Sequence, residues 1–179
     1  MAHYEKTRSQ SYVYRGKIIS LRVDTAELEN QKTATREVVE HPGGVCVLPL
    51  DDKGNVTLVR QFRYPYMEEL LELPAGKRSP GEDPLECGKR ELTEETGFQA
   101  EHYTSLGELY PSPGYLDEVI YLYLATGLTQ VGQNLDEDEF LDVCTLPLDE
   151  AVQMVLAGTI KDAKTQAALL KAYLLNKGQ

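Results

Sequence analysis

Tryptophan is absent from this 179-residue chain, and cysteine, histidine, methionine and phenylalanine each occur three times. The cysteines, Cys46, Cys87 and Cys144, are odd in number and form no CxxC pair. That argues against a disulfide framework and a thiolate zinc site, and leaves free, reduced thiols. His3, His41 and His102 are scattered, so no histidine-based metal cluster is expected. Long apolar runs are missing as well: no segment is long enough to span a bilayer. The opening MAHYEKTRSQ lacks the apolar core of a signal peptide, so a cytoplasmic location is expected. Positive charge is scarce, with 18 Lys and Arg against 29 Asp and Glu, a net charge of -11. This argues against a nucleic-acid partner, whose phosphate backbone needs a basic surface. A small anionic substrate stays open if metal ions supply local positive charge.

What is present is ordinary for a globular protein, with 41% hydrophobic and 26% charged residues. The length suits one domain with a good core, or one domain plus a small appendage. YVYRGKIISLRVDTAELEN and TATREVVEHPG are rich in β-branched and aromatic residues and read as two or three antiparallel strands. GVCVLPLDDKGNVTLVRQFRYP reads as a hairpin about a turn at residues 51–55. LLELPAG reads as a short strand ending at Pro74 and Gly76. HYTSLGELYPS and EVIYLYLATGL read as further strands. NLDEDEFLDVCTLPL is an acidic loop entering another strand. LDEAVQMVLAGT is a helix with Asp149 or Thr145 near its start, and DAKTQAALLKAYLLNKG is a second, amphipathic helix. Strands and helices interleave without a regular βαβ repeat, which predicts an α/β (α+β) fold with a mixed sheet flanked by helices. The expected division is residues 1–42 as an N-terminal antiparallel sheet and residues 43–179 as the main domain.

The helix over 84–96 has the clearest signals: Asp83 as N-cap, Pro84 at N1, Glu86 at N3 and Gly97 just past its end. At about 100° per residue, Glu91, Glu94 and Glu95 fall within an arc of about 100°. Leu85, Leu92 and Thr96 share the neighbouring face. Like charges so close destabilise a helix. An exposed acidic face is one reading. The other is a Mg²⁺ or Mn²⁺ site, since hard cations take oxygen ligands and leave room for substrate phosphates.

The full segment decides between them. Gly76, five residues, Glu82, seven residues, Arg90-Glu91-Leu92, one residue, Glu94-Glu95, one residue and Gly97-Phe98 match the signature Gx5Ex7REUxEExGU, with U apolar. The segment therefore resembles the Nudix hydrolases, whose box is a loop-helix-loop. The match implies a Nudix-type mixed sheet sandwiched by helices. It also implies metal-dependent hydrolysis of a nucleoside diphosphate linked to another group. By resemblance, Glu91 and Glu95 are the main metal ligands and Glu94 an additional or supporting one. The Ala75 carbonyl faces the metal where Gly76 lets the backbone turn. Glu82 is structural, and Arg90 pairs with a carboxylate such as Glu82 to hold loop against helix.

Substrate class is set outside the box. YPSPGYLDE places Pro113 sixteen positions beyond Gly97. A proline there resembles the ADP-ribose pyrophosphatase subfamily, as do RGKIISLRVD, REVVEHPGGVCVLPL, VRQFRYP, LELPAG and DAKT, so the likeness covers nearly the whole chain. It implies cleavage of ADP-ribose to AMP and ribose 5-phosphate. Other nucleoside diphosphate sugars, such as GDP-mannose, and a non-catalytic ADP-ribose-binding module are the alternatives. Arg36 and Arg63 match substrate-contacting arginines, or serve as surface ion pairs. Glu118 binds the distal ribose or positions water, or is a strand-end charge. The resemblance assigns the general base to the acidic loop, Glu139 first and Glu137 second. Tyr12 or Tyr14 stacks on adenine, or packs in a core or dimer. In this subfamily the N-terminal sheet builds a homodimer.

Overall fold

A computed structural model describes residues 3–135 and 140–177. The chain divides into two compact units, residues 1–43 with 110–119, and residues 44–109 with 120–179.

The first unit is an antiparallel sheet in the order β1-β2-β3, formed by β1 (Lys6–Arg15), β2 (Ser20–Glu27) and β3 (Thr33–Glu40). β2 pairs with both neighbours, and all of β1 is exposed. Residues 110–119 lie beyond the expected N-terminal segment in sequence, yet they join this unit. Val39 donates to the Tyr115 carbonyl at 2.7 Å and its own carbonyl accepts from Asp117 at 3.1 Å. The Asp117 carboxylate accepts from the His41 amide at 2.8 Å.

The second unit holds two sheets. β4 (Gly44–Pro49), β7 (Ala75–Lys77), β8 (Phe98–Leu109) and β9 (Ile120–Gln130) form a mixed sheet in the order β7-β4-β9-β8, with β4 and β9 parallel. β5 (Asn55–Arg63), β6 (Glu68–Glu72) and β10 (Leu141–Pro147) form an antiparallel sheet in the order β10-β5-β6. Three helices complete the unit: α1 (Pro84–Thr96), α2 (Leu148–Leu156) and α3 (Ala163–Lys177). Among the described residues no helix is long and apolar enough to cross a membrane.

β4 is buried along its whole length. Its side chains alternate between faces, as a strand requires. Val45 and Val47 pack with Cys87 and Leu92 of α1 and with Ala125. Cys46 and Leu48 pack with α2 and α3 through residues such as Val152, Ala168 and Leu169. The mixed sheet is thus covered on both faces, the predicted layering.

Pairing departs from the sequence reading in two places. The 51–55 turn forms as expected, with Asp51 accepting from the Asn55 amide at 2.7 Å and Gly54 at φ +79°. The strands it joins do not make a hairpin ladder: an isolated bridge links Leu50 to Val56, and β4 and β5 then enter different sheets. LLELPAG likewise splits into β6 and β7, which pair with β5 and β4 respectively. Pro74, lacking an N–H, sits at the changeover, where its carbonyl accepts from Val47. α2 begins after Pro147 with no side-chain cap, and Thr145 lies in β10.

Candidate active site

α1 forms where its caps predict. Asp83 Oδ1 accepts from the Leu85 and Glu86 amides at 2.9 and 3.2 Å, and Gly97 closes the helix at φ +73°. The acidic arc is not a solvated face. Glu91 is 7% exposed and Glu95 3%, both turned towards β7. The Ala75 amide donates to Glu95 Oε2 at 3.0 Å, which sets the Ala75 peptide beside that carboxylate. Gly76 is required for space rather than for a turn. A Cβ there would lie 2.0 Å from the Glu91 carboxyl carbon, and its φ is not among the positive values.

Arg90 offsets the repulsion among these carboxylates. Its Nη1 lies 2.7 Å from Glu91 Oε1 and 2.8 Å from Glu94 Oε2. Its Nε and Nη2 reach the Glu82 carboxylate at 3.1 and 3.3 Å. The Glu82 carboxylate also accepts from the Ser79 amide at 2.8 Å. Arg90 first, and the Ser79 amide with it, hold the Glu82 carboxyl down to about 2. One guanidinium therefore fastens the 77–82 loop to the helix and pairs with three carboxylates from the box, offsetting one of their three charges. Burial, helped by Glu82 and Glu91, pushes the neighbouring Cys87 thiol up to about 12, so it is no nucleophile.

The C-terminal end of α1 anchors the chain that enters the acidic loop. The Gly97 carbonyl accepts from Val131 at 2.8 Å. Gln133 Nε2 donates to the Glu95 carbonyl at 2.6 Å, and the Asn134 amide to the Glu94 carbonyl at 3.1 Å. A Cβ at Gly97 would stand 2.8 Å from the Gln133 nitrogen. The candidate bases Glu137 and Glu139 lie outside the described residues.

The remaining sequence candidates fall into two groups. Arg63, at the end of β5, makes a two-point pair with Glu72, Nε to Oε1 at 2.6 Å and Nη2 to Oε2 at 2.8 Å. In the first unit, Arg36 pairs with Glu5 at 2.6 Å. Pro113 and Glu118 line a pocket of about 360 Å³ with Val38, Tyr110 and Tyr115. Glu118 Oε1 lies 3.1 Å from His41 Nδ1. Arg15 stacks over the Tyr12 ring at 3.5 Å, and Tyr14 is exposed.

Sequence reasoning passed over Glu72, Lys164 and His41. The signal for Glu72 was available: a carboxylate inside the apolar run LLELP has to be paired if the strand is buried. Lys164 and His41 carry no comparable local sign, since Glu72 and Glu118, the partners that matter, are distant in sequence.

Comparison with known proteins identifies the family. Residues 40–169 match the NUDIX domain, and residues 5–39 match the nucleoside diphosphate sugar hydrolase N-terminal domain. The ADP-ribose pyrophosphatase of Bacillus subtilis (strain 168) is 41% identical over 92% of this chain and 90% of its own. The methanol dehydrogenase activator of Bacillus methanolicus is 42% identical over the same shares of each chain. A GDP-mannose pyrophosphatase of Yersinia enterocolitica is 38% identical over 78% of this chain and 78% of its own. A crystal structure of an ADP compounds hydrolase superposes with a TM-score of 0.87, covering 100% of this chain and 97% of that one. At 24% identity, that likeness speaks to the fold. The chain belongs to the Nudix hydrolase family. Within it, the intact box and the relatives make the chain a Nudix pyrophosphohydrolase.

Members of the family generally use divalent metal ions. The side chains that α1 gathers here, the carboxylates of Glu91, Glu94 and Glu95, are all oxygen donors, which suits a hard cation. The space at Gly76 that a methyl group would fill is the specific sign of fit, because it lets Glu91 lie against β7. Among the described residues no three His, Cys, Asp or Glu side chains converge as a ready cage. Mg²⁺ does not demand one, since it keeps waters and shares substrate phosphates.

Proposed function

We propose that this protein hydrolyses the diphosphate of ADP-ribose, giving AMP and ribose 5-phosphate. The observation that carries the reading is the burial of Glu91 and Glu95 against Ala75 and Gly76, a site built from oxygen donors. Ala75, Glu91, Glu94 and Glu95 would hold Mg²⁺ or Mn²⁺. A bound ion would supply positive charge to the diphosphate and would ease the loss of a proton from water at phosphorus. Glu95, as both ligand and site organiser, is anchored through the Ala75 amide. Glu139, with Glu137 as second choice, takes the proton of the attacking water. Arg63 and Arg36 grip phosphate oxygens, a task suited to a planar guanidinium. Glu82, Arg90, Gly76 and Gly97 keep the box in shape. Pro113 and Glu118 supply a pocket wall for the rest of the nucleotide.

The relatives named ADP-ribose pyrophosphatase support this substrate over others. The GDP-mannose pyrophosphatases among them favour a second reading, hydrolysis of another nucleoside diphosphate sugar. The exposed β1, with Tyr12, Val13 and Tyr14 uncovered, supports a homodimer built through the N-terminal sheet. Three free thiols fit a reducing compartment such as the cytoplasm.

The test is phosphatase-coupled hydrolysis of ADP-ribose, GDP-mannose and diadenosine polyphosphates with Mg²⁺, with and without EDTA. The highest kcat/KM on ADP-ribose, abolished by EDTA, is expected. A higher value on GDP-mannose would transfer the assignment to nucleotide sugars.

A further inference from the structure

A cluster of enclosed charges outside the Nudix box lies where β5, β6 and α3 meet. Glu72 is 1% exposed. Burial alone would raise its carboxyl, but Arg63 and Lys164 outweigh burial and hold it down to about 2. Its two oxygens are shared between these cations: Arg63 takes both, and Lys164 Nζ donates to Oε2. Lys164 is itself largely enclosed, and its Nζ also meets Asp162 Oδ1 at 3.0 Å. Burial opposes its charge, and Asp162 and Glu72 raise its pKa in spite of it.

Asp162 caps α3, its Oδ2 accepting from the Thr165 amide at 2.9 Å and from Thr165 Oγ1 at 2.6 Å. Thr165 Oγ1 in turn accepts from the Leu73 amide at 2.9 Å. The start of α3 is thereby bolted to the end of β6, beside Glu72. At the other end of the chain of contacts, Arg63 is 37% exposed. Glu72 engages its Nε and Nη2 edge. Guanidinium geometry then directs the Nη1 edge away from Glu72. Glu72 foremost, then Asp162 and last Glu95 of the box, raise the Arg63 pKa against the effect of burial.

A buried two-cation, two-carboxylate cluster is an expensive way to gain stability, since desolvation takes back much of the attraction. It does fix direction. We infer that Glu72 and Lys164 are positioning residues: Glu72 clamps one edge of Arg63 and Lys164 ties Glu72 to α3, so that the free edge of the guanidinium is aimed at a phosphate, a role that rests on the diphosphate reading above. The pairing also explains why a sequence view of Arg63 as either substrate contact or ion pair is a false choice. It pairs through one edge in order to bind through the other.

The experiment combines a substrate-free measurement with a double-mutant cycle on the full chain. ¹⁵N relaxation of the Arg63 Nε–Hε group should give an order parameter of about 0.8 in the wild type and below about 0.6 in Glu72→Gln. Lys164→Met should shift it the same way by less, and Lys164→Arg should restore it. Unchanged Arg63 order in Glu72→Gln, or in Lys164→Met should Glu72→Gln not fold, overturns the positioning role. In steady-state assays with ADP-ribose, Glu72→Gln should raise KM about tenfold with a smaller change in kcat, as loss of a grip common to ground and transition states does. In an Arg63→Ala background the same change should alter KM less than about twofold. Equal effects in both backgrounds would mark Glu72 as merely structural and overturn the inference. Absence of ADP-ribose hydrolysis by the wild type would sink the substrate reading, and the relaxation data would still decide the positioning role.

Discussion

At Gly76 a hydrogen in place of a methyl group determines whether Glu91 fits beneath β7. Gly76→Ala forces the Glu91 carboxylate aside. The expected outcome is a fall in kcat of tenfold or more, with about 1–3 kcal/mol lost from denaturant unfolding, the usual cost of overpacking. Glu95→Gln is the gentler probe, since its amide oxygen can still accept from the Ala75 N–H. Turnover should drop on the order of 10²- to 10³-fold while the melting temperature stays near that of the wild type. Near-normal turnover would remove Glu95 from the site. Glu72 contributes to the response to acid. Its folded pKa, about 2, lies below the ordinary 4.5, so its contribution is complete above pH 4.5 and is lost as pH falls towards 2. By linkage this amounts to about 3 kcal/mol. Denaturant melts at pH 2.5 and pH 6 should show a shallower slope for Glu72→Gln than for the wild type. At this scale the sequence was most legible where chemistry is local in the chain. The spacing of Glu82, Arg90, Glu91, Glu94 and Glu95 names the box outright. The reason for Gly76 was read as backbone freedom, and the structure shows it to be room for a carboxylate fifteen residues away.

Elements repeat the pattern. α1 could be bounded closely because its caps are adjacent in sequence: Asp83 before, Gly97 after. Asp83→Ala should cost about 1 kcal/mol in a thermal or denaturant melt, since two amides lose their acceptor. Strands were recognisable from their β-branched runs, but beyond the N-terminal sheet their partners were not. Periodicity reports which side chains share a face and says nothing about which strand lies alongside. β4 and β5 are joined by a turn of hairpin chemistry, and only the tertiary contacts reveal that they diverge into separate sheets. The burial of the acidic arc was hidden for a similar reason. A helical wheel places Glu91 and Glu95 together, yet the cover comes from β7, which the sequence offered only as the tail of LLELPAG.

For the whole molecule, burial is uneven in a way that hydrogen exchange can read. β4 lies inside the mixed sheet with both faces covered, whereas β1 is an exposed edge of the first unit. Amides 45–48 should exchange at the slowest, globally limited rate, and those of β1 should be orders of magnitude faster in dilute protein. Protection of β1 that grows with protein concentration is expected if the proposed homodimer forms through that sheet. Equal protection of the two strands at every concentration would count against both statements. The net charge of -11 was legible at once and fitted a small-molecule partner. The grouping of residues 110–119 with the first unit was not, because the bond from His41 to Asp117 spans 76 residues of chain and those of Val39 reach as far.

The alternation along β4 also limits how this protein can vary in length. Val45 and Val47 serve the layer beneath α1, while Cys46 and Leu48 serve the layer beneath α2 and α3. A replacement of one residue by another disturbs one layer. An insertion or deletion of one residue anywhere in 44–49 would exchange the two sets, presenting each helix layer with side chains fitted to the other. In the gene, this stretch should therefore tolerate rewording far better than a change in the number of its codons.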